Sequence, residues 1–181
     1  MSLADFFLSL FRLIDPDLAT TFFHLSGADL GKMLVATVVT ALAVLRIHEL
    51  GHLLAVRSFG IPARIVLGGR RGESRFWFLA PMVVLIDDRV MASMQPSQLR
   101  IAAASGPIAH LLTCLVCWHW GMVLPAPAWL CAGVTFCGAA YFFICILMNV
   151  VPLRALKNDG WKVLWPKVAL AEVRRKVGLI D

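Results

Sequence analysis

The fold is decided by residues 33–56, which read MLVATVVTALAVLRIHELGHLLAV. This stretch supplies the roughly 20 apolar residues that a helix needs to cross the hydrocarbon core of a bilayer. Its second half nevertheless contains four polar side chains, Arg46, His48, Glu49 and His52. A charged side chain in the middle of a membrane helix costs at least about 2.5–3.5 kcal/mol on insertion scales. A cluster of ionisable groups at this place therefore indicates a functional site.

Two further stretches, residues 101–124 and 129–151, are long enough to cross a bilayer and contain no charged residue. Pro125 and Pro127 lie between them and predict a short turn that returns the chain as a helical hairpin. Hydrophobic residues make up 60% of the sequence and charged residues 15%, against about 25% charged in soluble domains. The sequence predicts a membrane protein, mainly α-helical, with three transmembrane helices.

The net charge of +6 is unevenly distributed along the chain. Residues 57–100 carry seven arginines against three acidic residues, and residues 153–181 carry seven basic residues against three acidic ones, so each segment is +4. Residues 1–33 are −2. Positive charge gathers on the cytoplasmic side of membrane proteins, which predicts a cytoplasmic carboxyl terminus and an amino terminus outside. The charge pattern favours a lipid bilayer over nucleic acid as partner. The short apolar hairpin and the lack of organelle signals favour a bacterial inner membrane as location.

The segment between the first two spans, residues 57–100, contains β-branched and aromatic runs that are typical of β-strands. Ile65–Leu67 and Phe76–Leu79 flank a glycine-rich turn at Gly68–Gly72, which predicts a membrane-associated β-hairpin. An irregular interfacial loop is the alternative. Met82–Ile86 could add a further strand.

The two ends of the chain complete a single predicted domain over residues 1–181. Residues 1–32 are expected to form an interfacial segment, with a helix at Phe6–Ile14 that is too short to span. Residues 152–181 hold Asp159-Gly160 and a basic tail.

The stretch His48-Glu49-Leu50-Gly51-His52 has the pattern HExxH. Helical positions four apart lie on one face, so both imidazoles can bind one Zn²⁺ while Glu49 reaches its water. A catalytic zinc ion usually has three protein ligands and an open position. By topology, Asp159 is the first candidate for the third ligand and His110 the second, because Asp159 returns to the cytoplasmic side after the third span.

Asn149-Val150-Val151-Pro152, Asp159-Gly160 and Ser105-Gly106-Pro107 accompany the HExxH helix. In the order and placement of these motifs, the chain resembles the site-2 protease family of intramembrane zinc metalloproteases, over roughly residues 33–161. The resemblance implies that Asp159 is the third ligand of one Zn²⁺ and that the activity is peptide hydrolysis within the membrane. No additional regulatory domain is expected, so the chain would be a minimal catalytic core.

These observations predict a zinc endopeptidase that cleaves a transmembrane or membrane-associated peptide near the cytoplasmic face. Glu49 would be the general base. Asn149 and His110 are candidate oxyanion or substrate residues, although the Asn149 amide could instead pair helices. A catalytically silent zinc-binding scaffold or regulator is the alternative, and a transport or channel subunit is a third hypothesis. The sequence leaves the substrate and the oligomeric state open.

Overall fold

A computed structural model describes residues 25–67, 82–123 and 125–180 of the chain. The predicted interfacial helix, the glycine-rich turn and the predicted strand at Phe76–Leu79 lie outside the described residues. Within the described ranges the chain is mostly helical.

Three of the described helices are long and apolar enough to cross a membrane. They are α1 (Gly27–Ser58), α3 (Pro96–Val123) and α4 (Ala128–Cys145), which continues as a π-helical segment at Ile146–Val150. The prediction of three such helices is confirmed at this level. Shorter elements are β1 (Arg64–Leu67), β2 (Met82–Leu85), α2 (Asp88–Ala92), α5 (Asp159–Leu164) and α6 (Pro166–Lys176).

The first helix begins six residues before the predicted span. Ser26 precedes it, and its hydroxyl accepts a hydrogen bond from the Asp29 backbone N–H at 3.2 Å. This is the arrangement of an amino-terminal cap, which satisfies one of the free N–H groups of the first turn. Residues 27–32, assigned by the sequence to an interfacial segment, therefore belong to α1.

The two strands form an antiparallel pair in which Ile65 lies opposite Val84. A small antiparallel sheet between the first two long helices is therefore confirmed. Its second strand comes from the Met82–Ile86 stretch. Residues 88–92 and 96–100, predicted as part of the hairpin and loop, are helical instead.

Contacts gather the chain into two compact units. The first comprises residues 1–44 and 111–143, of which 25–44, 111–123 and 125–143 are described. Its helices approach closely at glycines: a Cβ on Gly133 would lie 2.8 Å from the Met33 carbonyl oxygen, and one on Gly138 would lie 2.6 Å from the Trp118 nitrogen. Small residues that let backbones approach are the usual basis of helix packing in membranes.

The second unit comprises residues 45–110 and 144–181 and holds every predicted site residue. Its apolar core joins the end of α1 and the start of α3 to the carboxyl-terminal helices; the buried members are Val56, Met94, Leu99, Ala102, Trp161, Ala169 and Leu170. Polar contacts fasten α6 to α2, since Arg174 donates to the carbonyls of Ala92 and Met94 and Lys176 pairs with Asp88 at 3.1 Å.

Candidate metal centre

Helix α1 presents His48 and His52 on one face, as the four-residue spacing requires. Their ring centroids lie 4.8 Å apart and the rings are nearly perpendicular, at 81°. The two Nε2 atoms are separated by 3.1 Å. The helix therefore supplies two imidazole nitrogens close enough to bind the same ion.

Asp159, the first residue of α5, brings a carboxylate oxygen to the same place. Its Oδ2 lies 3.4 Å from His48 Nε2 and 3.2 Å from His52 Nε2. His110, the second candidate, is not part of this triplet. The three groups that the sequence predicted as ligands are thus brought together, although Asp159 is 107 residues from His52 along the chain.

The spacing of these three atoms is suitable for a metal ion. A tetrahedral site with metal–ligand bonds of about 2.0–2.1 Å holds its ligand atoms about 3.3–3.4 Å apart. The observed separations of 3.1–3.4 Å match that value. Two imidazoles and a carboxylate at this spacing could hold a metal ion.

A backbone carbonyl orients the ring of His52. His52 Nδ1 lies 2.6 Å from the Ala102 oxygen, and because a carbonyl only accepts, Nδ1 must carry the proton. In the neutral ring this leaves a lone pair on Nε2, the atom that faces His48 and Asp159. Such a hydrogen bond to the distal nitrogen is the usual support of a metal-binding histidine. For His48 Nδ1, no hydrogen-bond partner is found among the described residues.

Gly106 gives His52 the room for this position. A Cβ on Gly106 would lie 2.6 Å from His52 Cδ2 and would overlap Nε2 still more closely. The Ser105-Gly106-Pro107 motif thereby has a physical role, because any side chain at residue 106 would displace the ring.

Lys162 holds the other oxygen of the Asp159 carboxylate. Lys162 Nζ lies 3.2 Å from Oδ1, one turn along α5, while Oδ2 faces the histidines. Burial raises the pKa of Asp159, but the neighbouring Lys162 ammonium lowers it, and the pKa of this carboxyl stays well below its usual value. The group is therefore ionised, which is the form that binds a cation.

Residues 151–158 link the third long helix to α5, which begins at Asp159. Asn158, a residue that the sequence analysis did not identify, holds this link in place. Its Oδ1 accepts from the N–H groups of Leu153 and Trp161, each at 3.1 Å. Its Nδ2 donates to the carbonyls of Met148 and Val151 at 2.6 and 2.7 Å. An asparagine before an acidic first turn is a signal for a helix amino-terminal cap, and that signal was present in the sequence.

Two further features shape this link. Lys157 has a φ of 48°, in the left-handed region, and its ammonium pairs with Glu172 of α6. A Cβ on Gly160 would overlap the Val150 carbonyl oxygen, so glycine is needed where α5 meets the end of the π-helical segment.

Glu49 faces the small sheet. Its Oε2 accepts a hydrogen bond from the Val84 backbone N–H at 3.0 Å. Because the Val84 N–H is engaged by Glu49, it points away from β1. The edge of β2 that is opposite β1, and that is the outer edge among the described residues, therefore faces the glutamate. The candidate general base and a strand edge are therefore adjacent.

The two remaining candidates, Asn149 and His110, each contact a member of a second group of buried side chains. Asn149 Nδ2 is 3.9 Å from Cys145 Sγ, and the His110 and His48 rings meet edge to face at 5.4 Å. His48, His110 and Cys145 form a second buried group whose ligand atoms lie within 4.8 Å of one another. An oxyanion or substrate role for Asn149 and His110 stays a prediction.

No protein-family model, curated protein or solved structure matches this chain.

Replacing Gly106 with alanine is expected to weaken binding of Zn²⁺ about 10–100-fold, because the new Cβ displaces the His52 ring. Calorimetric titration of the detergent-solubilised protein with Zn²⁺ measures this. Ile108→Ala, at an exposed position of the same helix, is the matched control and should bind as the wild type does. Wild-type affinity in Gly106→Ala would contradict the role given to this glycine.

Replacing Asn158 with alanine is expected to lower the free energy of unfolding by about 1–2 kcal/mol, since the α5 cap is lost. Asn158→Asp keeps the acceptor for Leu153 and Trp161 but loses both donated bonds, so it should lie between the wild type and Asn158→Ala. Thermal unfolding in detergent, with Zn²⁺ affinity recorded in parallel, checks this order. Equal stability of all three proteins would show that the link is held by other contacts.

Proposed function

We propose that the chain is an intramembrane zinc endopeptidase, similar in its motifs to the site-2 protease family. The observation that carries the proposal is the triplet of His48, His52 and Asp159 at 3.1–3.4 Å, with Glu49 beside it on the same helix. Two imidazoles and one carboxylate, with a further position open for water or substrate, form a ligand set that catalytic zinc uses in proteases.

In this proposal, bound zinc supplies the Lewis acidity that makes water nucleophilic near neutral pH and polarises a carbonyl group. Glu49 takes the proton of the attacking water and passes it to the leaving nitrogen, acting first as base and then as acid. Ala102 and Lys162 keep His52 and Asp159 in their ligating orientations. A scaffold without hydrolytic activity would need no general base beside its metal ligands.

The lipid bilayer is the proposed solvent for the three long helices. Many of their large apolar side chains are exposed in the described part of the chain, among them Leu34, Val35, Val38, Leu112, Leu115 and Leu147. In water such surfaces would be costly, whereas acyl chains cover them without penalty. The positive charge of segments 57–100 and 153–181 supports an orientation with the carboxyl terminus in the cytoplasm and the amino terminus outside, and the proposed location is a bacterial inner membrane.

The proposed substrate is a transmembrane or membrane-associated peptide in extended form. Peptide bonds within a helix are hydrogen-bonded and screened, so the cleaved segment must first unwind. The outer edge of β2 faces Glu49 and offers backbone groups to which an extended peptide can pair as an added strand. Such pairing would bring the scissile bond beside Glu49 and the metal ligands, near the cytoplasmic face.

Replacing Glu49 with glutamine is expected to slow cleavage of model transmembrane substrates about 10²–10⁴-fold, while the protein still binds one Zn²⁺. The amide has a similar shape but cannot accept the proton of water. Metal content and cleavage are measured on the same detergent-purified samples. Wild type that binds no zinc would refute the proposal, and zinc binding without cleavage over a broad substrate panel would favour the silent scaffold.

Replacing Val84 with proline is expected to reduce cleavage about tenfold with the zinc content unchanged, because proline removes the N–H that binds Glu49 and disturbs the edge of β2 that faces the glutamate. Val84→Ala keeps that N–H and serves as the control, with cleavage near the wild-type rate. If Val84→Pro cleaves as well as Val84→Ala, substrate pairing at this edge is excluded.

A further inference from the structure

Beside the proposed catalytic centre lies a second set of metal-binding side chains that includes a thiol. His48, His110 and Cys145 are 7%, 2% and 0% exposed, and their ligand atoms lie within 4.8 Å of one another. Ala102 supports His52 and Lys162 supports Asp159 in the first triplet, whereas His110 and Cys145 are ligand candidates of the second group alone.

The sulfur of Cys145 has one polar donor and one polar acceptor close by. The Asn149 amide donates toward Sγ at 3.9 Å, and the Pro107 carbonyl oxygen lies 4.0 Å away to receive the thiol hydrogen. The helix changes to π-helical geometry immediately after Cys145, at Ile146. Such π-helical turns occur frequently at functional sites.

His48 belongs to both sets of ligands. It is more than nine-tenths buried, and no hydrogen-bond partner is found for its Nδ1 among the described residues. A metal-binding histidine normally has its second nitrogen fixed by a hydrogen bond, as His52 does through Ala102. Among the described residues, no such hydrogen bond fixes the His48 ring in favour of either set of ligands.

We propose that His48, His110 and Cys145 form a second cation site, selective for a soft, thiophilic metal ion, that competes with the first site for His48. Thiolate and imidazole ligands favour soft ions such as Cu⁺ and Cd²⁺, whereas the Asp159 carboxylate favours harder ones. A neutral imidazole has one nitrogen lone pair, so His48 can bind only one of the two ions at a time. A soft cation at the second site would therefore leave the first site with two ligands and stop hydrolysis, a consequence that rests on the proposed function.

The test is ¹¹³Cd NMR of the full chain in detergent, since the cadmium chemical shift distinguishes sulfur ligands from nitrogen and oxygen ligands. The wild type should give a resonance in the range typical of one thiolate ligand. Cys145→Ser should lose that resonance and give one in the nitrogen and oxygen range, which also shows that the protein is folded. Cys137→Ser, which removes another fully buried cysteine, is the matched control and should keep the wild-type spectrum.

Two further variants separate the sites. His52→Ala should keep the thiolate resonance, because only the first site is damaged, and His110→Asn should weaken cadmium binding about tenfold. A wild-type resonance in the nitrogen and oxygen range, or a thiolate resonance that persists in Cys145→Ser, would overturn the second site.

A competition experiment tests the link to hydrolysis. The Cd²⁺ concentration that halves cleavage by the zinc-loaded protein should be about tenfold higher for Cys145→Ser than for Cys137→Ser. Equal values would refute the competition. A wild type that shows the thiolate resonance but cleaves no substrate would instead count against the proposed protease function, so the two failures are distinguishable.

Discussion

Three electron-rich atoms, His48 Nε2, His52 Nε2 and Asp159 Oδ2, lie within 3.1–3.4 Å of one another, and much of the second unit serves to hold them there. Atoms of this kind do not approach so closely without positive charge between them, whether a proton or a metal ion. Their supports are contributed by separate elements: Ala102 on α3 fixes one imidazole, and Lys162 on α5 holds the free carboxylate oxygen.

The arrangement depends as much on the absence of side chains as on their presence. Gly106 leaves space for the His52 ring, and Gly160 lets the start of α5 lie against the end of the π-helical segment. Asn158 then satisfies four backbone groups around the irregular link. Gly160 and the Asn158 amide thus stabilise an irregular link between two helices. That link brings the Asp159 carboxylate beside His48 and His52.

His48 and Glu49 connect the metal centre to two different surroundings. Through Glu49 the centre contacts the edge of β2, where the proposed function would have an extended peptide pair. Through His48 it adjoins the buried imidazole and thiol of His110 and Cys145. Substrate and competing cation would therefore act on neighbouring residues of one helical turn, which makes the proposed activity sensitive to both.

The sequence by itself determined the features that are local along the chain. Apolar length predicted the three long helices, and the four-residue spacing of His48 and His52 predicted their common face, because helical periodicity needs no tertiary contact. The motif order also selected Asp159. Only the tertiary structure decided that Ala102 orients His52, that Val84 meets Glu49, and that Cys145 lies near His48. Those contacts join residues 35 or more positions apart, and their partners are set by helix packing, for which a single sequence carries no periodic signal.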